Sequence, residues 1–117
     1  MTTTPEPLVE MTDFTKIEMR IGTILSAEPN PAARHPALIL RIDFGECLGV
    51  KTTSAQITEN HDPMTLLGTQ VIAVVNFPEK RIAGIKSQVL VLAAVSEHEG
   101  TVLITPTRPV SNGSRIL

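Results

Sequence analysis

The run Val71-Ile72-Ala73-Val74-Val75, the polar stretch Asn76-Phe77-Pro78-Glu79-Lys80-Arg81-Ile82-Ala83-Gly84-Ile85-Lys86-Ser87-Gln88 and the run Val89-Leu90-Val91-Leu92-Ala93-Ala94-Val95 decide how this chain is read. The two apolar runs are short and rich in β-branched residues, which predicts two buried strands joined by a defined connection. The connection carries Lys80, Arg81 and Lys86 against Glu79, a net +2 in a chain of net −2, so the remaining residues sum to −4. Asn76, Ser87 and Gln88 add hydrogen-bonding side chains, while Pro78 restricts the backbone and Gly84 permits a tight turn. Such a stretch suits recognition, and its polarity is equally that of a solvated hairpin connection.

Working outward, residues 19–27 alternate, with Met19, Ile21, Thr23, Leu25 and Ala27 on one face and Arg20, Gly22, Ile24 and Ser26 on the other. Gly22 predicts a bend or bulge within this first strand. Pro29, Pro31 and Pro36 enclose a loop containing Arg34 and His35. Leu38, Leu40 and Ile42 then alternate with Ile39, Arg41 and Asp43 in a second strand, and residues 50–54 form a third in which Lys51 points opposite to Val50. Asp62-Pro63 supplies an N-cap and a first helical position, and Gly68 a stop, for one brief helix through Met64, Leu66 and Leu67. Residues 102–104 add a further strand before a turn-rich tail. Near the start, Thr12 or Asp13 caps a turn that sets Phe14 and Ile17 at helical spacing. Short strands, one short helix between the third and fourth, and no helix of crossover length predict an all-β chain: a five-stranded Greek-key barrel of OB type with short helices and N- and C-terminal extensions.

The length of 117 residues fits one domain, expected over residues 12–117 after a flexible lead-in over residues 1–11. No apolar run approaches the roughly eighteen residues that span a bilayer, which predicts no membrane insertion. The first residues lack a basic region followed by an apolar one, so the expected location is cytoplasmic. Cys47 is the sole cysteine; it excludes an internal disulfide, fits a reducing compartment and reads as a small apolar filler. A pI near 5.9 argues against coating nucleic acid by bulk charge, and with only Phe14, Phe44 and Phe77 as aromatics the chain offers little platform for base stacking.

Catalytic chemistry finds little support. His35, His61 and His98 are scattered without HxxxH, HExxH or CxxC spacing, so they are expected as surface histidines and no metal is predicted. Ser54 and Ser87 sit on no nucleophile elbow, and Gly45 and Gly49 lack the Lys-Ser/Thr of a phosphate loop. No catalytic residue and no cofactor is predicted; the chain is expected to bind rather than react. Phe77, Ile82 and Ile85 can offer apolar surface to an unfolded polypeptide or turn inward as core plugs. Leu8, Val9, Met11 and Phe14 at one end, and Val110, Ile116 and Leu117 at the other, are more apolar than free tails require, which predicts a symmetric dimer.

Four separated blocks share one resemblance: Phe14-Thr15-Lys16-Ile17-Glu18-Met19-Arg20-Ile21-Gly22-Thr23-Ile24, Leu40-Arg41-Ile42-Asp43-Phe44-Gly45, Ser54-Ala55-Gln56-Ile57 and residues 76–92. Together they closely resemble the CsaA-type export-related chaperones, within a wider group of tRNA-binding OB domains that includes C-terminal appendages of some methionyl-tRNA synthetases. The resemblance runs from about Phe14 to Ile116. It implies a homodimer of OB barrels that binds non-native, export-bound polypeptides, with a surface patch shared with the tRNA binders. Carried onto this sequence, the patch contains Asn76, Lys80, Arg81 and Ser87, with Lys86 adjoining and Ser54-Ala55-Gln56 as a second wall. Arg20, Lys51, Phe77 and Ile85 complete the candidate set. Ser87-Gln88-Val89-Leu90 departs from the Ser-x-Gly-Met pattern of the tRNA-binding relatives, and Glu79 adds an acid that the chaperone group usually lacks. Both departures favour the chaperone reading over the alternative, a structure-specific tRNA binder acting in trans.

Overall fold

The computed structural model describes residues 4–117, so the first three residues of the expected lead-in lie outside the described residues. In chain order the elements are α1 (Met11–Thr15), β1 (Met19–Pro29), β2 (Leu38–Asp43), β3 (Val50–Ala55), α2 (Pro63–Leu66), β4 (Gln70–Val74), β5 (Lys80–Ile82), β6 (Ile85–Ser87), β7 (Leu90–Val91), β8 (Ala93–Ser96) and β9 (Gly100–Leu103). Five strands form one antiparallel sheet in the order β3-β2-β1-β4-β7, and β5–β6 and β8–β9 are separate two-stranded ribbons. The sheet curls into a nearly closed barrel of OB type, as the strand pattern predicts.

The long first strand serves two neighbours because it changes register halfway. Residues Met19–Thr23 pair with β4, residues Thr23–Pro29 pair with β2, and the register shifts between Ile24 and Ser26. The irregularity therefore lies after Ile24 and not at Gly22: Gly22 and Ile24 are buried on the face opposite the expected stripe, Leu25 is exposed, and past the shift Ala27 packs against the same core. A bulge flips side chains across the sheet, which simple alternation cannot register. Gly22 is needed for another reason. A Cβ at that position would lie 2.6 Å from Ile42 Cγ2 and 2.8 Å from the Phe44 ring. The core fills the barrel with Ile24, Leu38, Leu40, Ile42, Phe44, Val71, Ala73 and Val89, closed below by Ile57, Leu66 and Leu103.

Helix α2 starts as the sequence predicts, with Pro63 in its first turn and Asp62 Oδ1 accepting from the Met64 N–H at 2.9 Å. The N-cap of α1 is Glu10, two or three residues earlier than expected; Asp13 contributes by accepting from the Glu10 N–H at 2.9 Å. The run 89–95 is not one strand. At Leu92 the chain leaves β4, with the Leu92 N–H on the Ile72 carbonyl, and β8 turns to pair with β9.

Side chains close the seam between β3 and the segment before β7. The Gln88 N–H donates to the Thr52 carbonyl at 2.8 Å, and the Thr52 N–H returns to Gln88 Oε1 at 2.9 Å. Thr53 Oγ1 donates to the Val89 carbonyl at 2.7 Å, and the Ser54 N–H donates to Ser87 Oγ at 3.3 Å. On the opposite flank the tail takes over where β2 ends: the Ile21 N–H reaches the Ser114 carbonyl, the Gly113 N–H the Ile21 carbonyl, and the Ile116 N–H the Met19 carbonyl. The tail thus extends the sheet along β1, and Arg115 Nη2 ties it to α1 through the Thr15 carbonyl at 2.9 Å.

Candidate functional site

The stretch between β4 and β7 is a structured arm. Lys80–Ile82 and Ile85–Ser87 form a hairpin in the register Lys80↔Ser87, Arg81↔Lys86 and Ile82↔Ile85. Two residues, Ala83 (φ 48°) and Gly84 (φ 81°), make its turn with positive φ at both positions, the geometry that matches strand twist in a tight hairpin. Alternation then sorts the side chains. Lys80, Ile82, Ile85 and Ser87 share one face, while Arg81 and Lys86 share the other.

At the foot of the arm, Phe77 is 45% and Leu90 51% exposed. With Pro78, Lys80, Ser87, Gln88 and Val89 they line a groove of about 160 Å³. Of the expected apolar groups, Phe77 and Ile82 face solvent and Ile85 is half-buried. On the polar face, Lys86 Nζ pairs with Glu79 Oε2 at 3.2 Å, and Arg81 Nη1 folds back to donate to the Gly84 carbonyl at 3.2 Å. Arg81 and Lys86 stand directly opposite each other, a like-charge pair that weakens a two-stranded ribbon.

Other members of the expected set are committed to the scaffold. Asn76 Oδ1 accepts from the Glu18 N–H at 2.9 Å and its Nδ2 donates to the Lys16 carbonyl at 2.7 Å, so the amide clamps the entry to β1. Ser87 is 8% exposed and sits in the seam. Arg20 Nε bonds Glu18 Oε2 and its Nη1 the Gly113 carbonyl, both at 2.9 Å, which makes it the fastener of the tail. Lys51 lies opposite Ile42 and Ser54 opposite Ile39, both half-buried, and Gln56 is exposed just beyond β3. Sequence reasoning missed Thr53 and Leu90. Nothing in a Lys-Thr-Thr-Ser run marks one threonine as the seam, and Leu90 lies in an apolar run whose strand breaks two residues later.

Two expectations about lone residues are corrected. Cys47 is exposed, not a filler. Phe44 already occupies the core at that end, and the bond from the Gly49 N–H to the Gly45 carbonyl makes a tight loop that turns residue 47 outward. His61 is half-buried and not a surface histidine: Nδ1 donates to the Ile57 carbonyl at 2.8 Å and Nε2 accepts from the Leu103 N–H at 3.4 Å. Among the described residues no three His, Cys, Asp or Glu side chains gather as metal ligands, and no helix is long and apolar enough to cross a membrane.

A family model described as a putative tRNA binding domain matches residues 19–115. The chaperone CsaA of Bacillus anthracis strain Ames is 49% identical, with a TM-score of 0.89 over 95% of this chain and 100% of that one. The CsaA chaperone protein of Picrophilus torridus is 41% identical, with a TM-score of 0.89 over 94% and 100%. The methionine–tRNA ligase of Methanococcoides burtonii is 33% identical over 109 residues, 93% of this chain but 16% of the ligase. The chain thus spans about one sixth of the length of the curated relatives it matches.

Proposed function

Because this chain belongs to the tRNA-binding domain family and is 41% and 49% identical to proteins solved as chaperones, we propose that it is a non-catalytic, cytoplasmic chaperone for non-native, export-bound polypeptides. The observation that carries this reading is the groove beneath the arm, where Phe77 and Leu90 are half exposed beside Lys80. Exposed apolar surface flanked by polar groups lets an unfolded segment gain burial without a demanding sequence. Phe77 and Leu90 supply that surface and Lys80 forms its rim, while Ile82, Ser54 and Gln56 line a second cleft nearer the tip of the arm. Asn76, Ser87 and Arg20 act as positioning residues that hold the arm and the tail.

The chaperone also dimerises through its ends. Met11, Phe14, Ile17, Ile116 and Leu117 surround a mostly apolar recess of about 430 Å³, and Met11 and Leu117 are largely exposed. A symmetric copy seated there would cover both. Sedimentation at micromolar concentration should give twice the 12.6 kDa chain mass; a monomer throughout would remove the dimer.

The test of the main reading is suppression of aggregation of a chemically denatured protein diluted into buffer. Phe77→Asp should abolish most of the protection, since burying a large apolar side chain contributes roughly 1.5–3 kcal/mol. Lys80→Ala should cost little, because an exposed rim charge contributes about 1 kcal/mol or less. The reverse ranking would favour the second reading, tRNA binding, which rests on the opposed Arg81 and Lys86. A ribbon that tolerates like charges face to face is suited to meeting phosphates.

A further inference from the structure

The tip of the arm reaches toward the loop of residues 30–37, and a second cleft of about 240 Å³ lies between them, separate from the groove at Phe77. Its walls are small and aliphatic: Ala33 and Ala37 from the loop, Ile82 and Ala83 from the tip. Ser54 and Gln56 line the cleft, and Arg34 and His35 stand at its edge. Among the described residues neither the Gln56 amide nor the Arg34 guanidinium has a hydrogen bond or ion pair within the chain. The loop is held in shape by Asn30, whose N–H donates to the Ala37 carbonyl at 2.9 Å and whose Oδ1 accepts from the Ala32 N–H at 3.1 Å.

Ala83 adopts a left-handed conformation (φ 48°) that favours Gly or Asn, and it does so while presenting its methyl group to the cleft. The two-residue hairpin imposes that conformation, and alanine in place of glycine there adds a methyl group to the tip. Arg81, folded over the turn onto Gly84, brings another cation to the same tip.

We propose that this cleft is a client subsite that takes a short aliphatic side chain flanked by a carboxylate, an inference that rests on the polypeptide-binding reading. The aliphatic walls match a side chain of valine size, and the one ring lining the cleft is the His35 imidazole, so an oligouridylate serves as the control for base stacking. The Gln56 amide offers one acceptor and two donors to an extended peptide backbone. The Arg34 fork suits a carboxylate.

The experiment is fluorescence anisotropy on the full chain with two labelled unstructured peptides, one carrying Val-Glu pairs in a Gly/Ser background and one with Val-Gln in their place. The native protein should prefer the Val-Glu peptide by about two- to fivefold, the range of a partly exposed ion pair. Arg34→Gln should erase that preference, and Phe77→Asp should weaken both peptides alike. Equal binding of the two peptides, or a preference that survives Arg34→Gln, would overturn the subsite while leaving the groove at Phe77 in place. Failure of either peptide to bind the native protein would remove the polypeptide reading itself. Oligouridylate that loses affinity in Arg34→Gln, with no peptide preference, would make the cleft an RNA subsite and overturn the proposal.

Discussion

The hydroxyl of Thr53 lies 2.9 Å from that of Ser87, both buried, and their neighbours fix the direction of the bond between them. Thr53 has one hydroxyl hydrogen, and the Val89 carbonyl, which can only accept, takes it at 2.7 Å. Ser87 must therefore donate to Thr53 while accepting from the Ser54 N–H. A one-way chain of hydrogen bonds runs from β3 to the segment leading into β7.

Thr53→Val keeps the shape and removes the middle of that chain, stranding the Val89 carbonyl and the Ser87 hydrogen. Unsatisfied buried groups cost about 1–3 kcal/mol, so the urea midpoint should fall accordingly, with the slope of the transition unchanged. Hydrogen exchange should place the extra opening in residues 87–91. An unchanged midpoint would mean that the seam is held elsewhere.

Gly22→Ala should destabilise the barrel by about 1–3 kcal/mol, the usual cost of overpacking a filled core. The new methyl group would meet Ile42 Cγ2 at 2.6 Å and Phe44 at 2.8 Å. Adding Ile42→Val should not recover the loss, because valine keeps the γ-methyl that clashes and loses only the δ-methyl. Thermal melts of the two variants provide the comparison.

In any tRNA binding, Lys86 is partly cancelled by Glu79 at 3.2 Å, leaving Lys80 and Arg81 as the main phosphate contacts. The log–log salt slope should be about −2 per protomer and should steepen toward about −3 in Glu79→Gln, since the freed Lys86 displaces one more counterion. A filter-binding series across salt concentrations measures both. A native slope much steeper than about −6 would mean that RNA engages a larger surface than the arm.

Ala83→Asn should make the arm more rigid. Asn tolerates the left-handed conformation that costs alanine about 1 kcal/mol, so amides in residues 80–87 should exchange about fivefold more slowly. Global stability should change little, because the substitution is confined to the turn at the tip of the arm, beyond the Ser87 seam. Faster exchange would show that packing at the tip, and not the backbone, sets its order.

The sequence revealed the parts of the fold governed by period and punctuation. The alternation from Leu38 to Asp43 and the Asp62-Pro63 helix start both hold in the structure. The register change after Ile24 was not legible, because a bulge leaves no compositional mark and only β2 and β4 decide where it falls. The same limit governs the site. Charge and apolar content marked the arm as a candidate surface, but whether a polar residue points out or in depends on partners distant in sequence. Asn76 is occupied by backbone 58 and 60 positions away, and Ser87 by Thr53, 34 positions away. The cleft at Arg34 joins two loops that only the barrel brings together.

The tail that extends the sheet along β1 has a kinetic consequence. Arg20 meets the carbonyl of Gly113 across 93 positions of sequence, so the final stitch must close a loop almost as long as the chain. Proteins dominated by such distant pairings fold in milliseconds to seconds, far slower than helical chains of this size. Until that stitch is made, the flank of β1 beyond the end of β2 keeps its N–H and C=O groups open to any passing strand. The interval before Ile21 finds Ser114 is therefore when this chain is most exposed to the kind of aggregation that we propose it prevents in others.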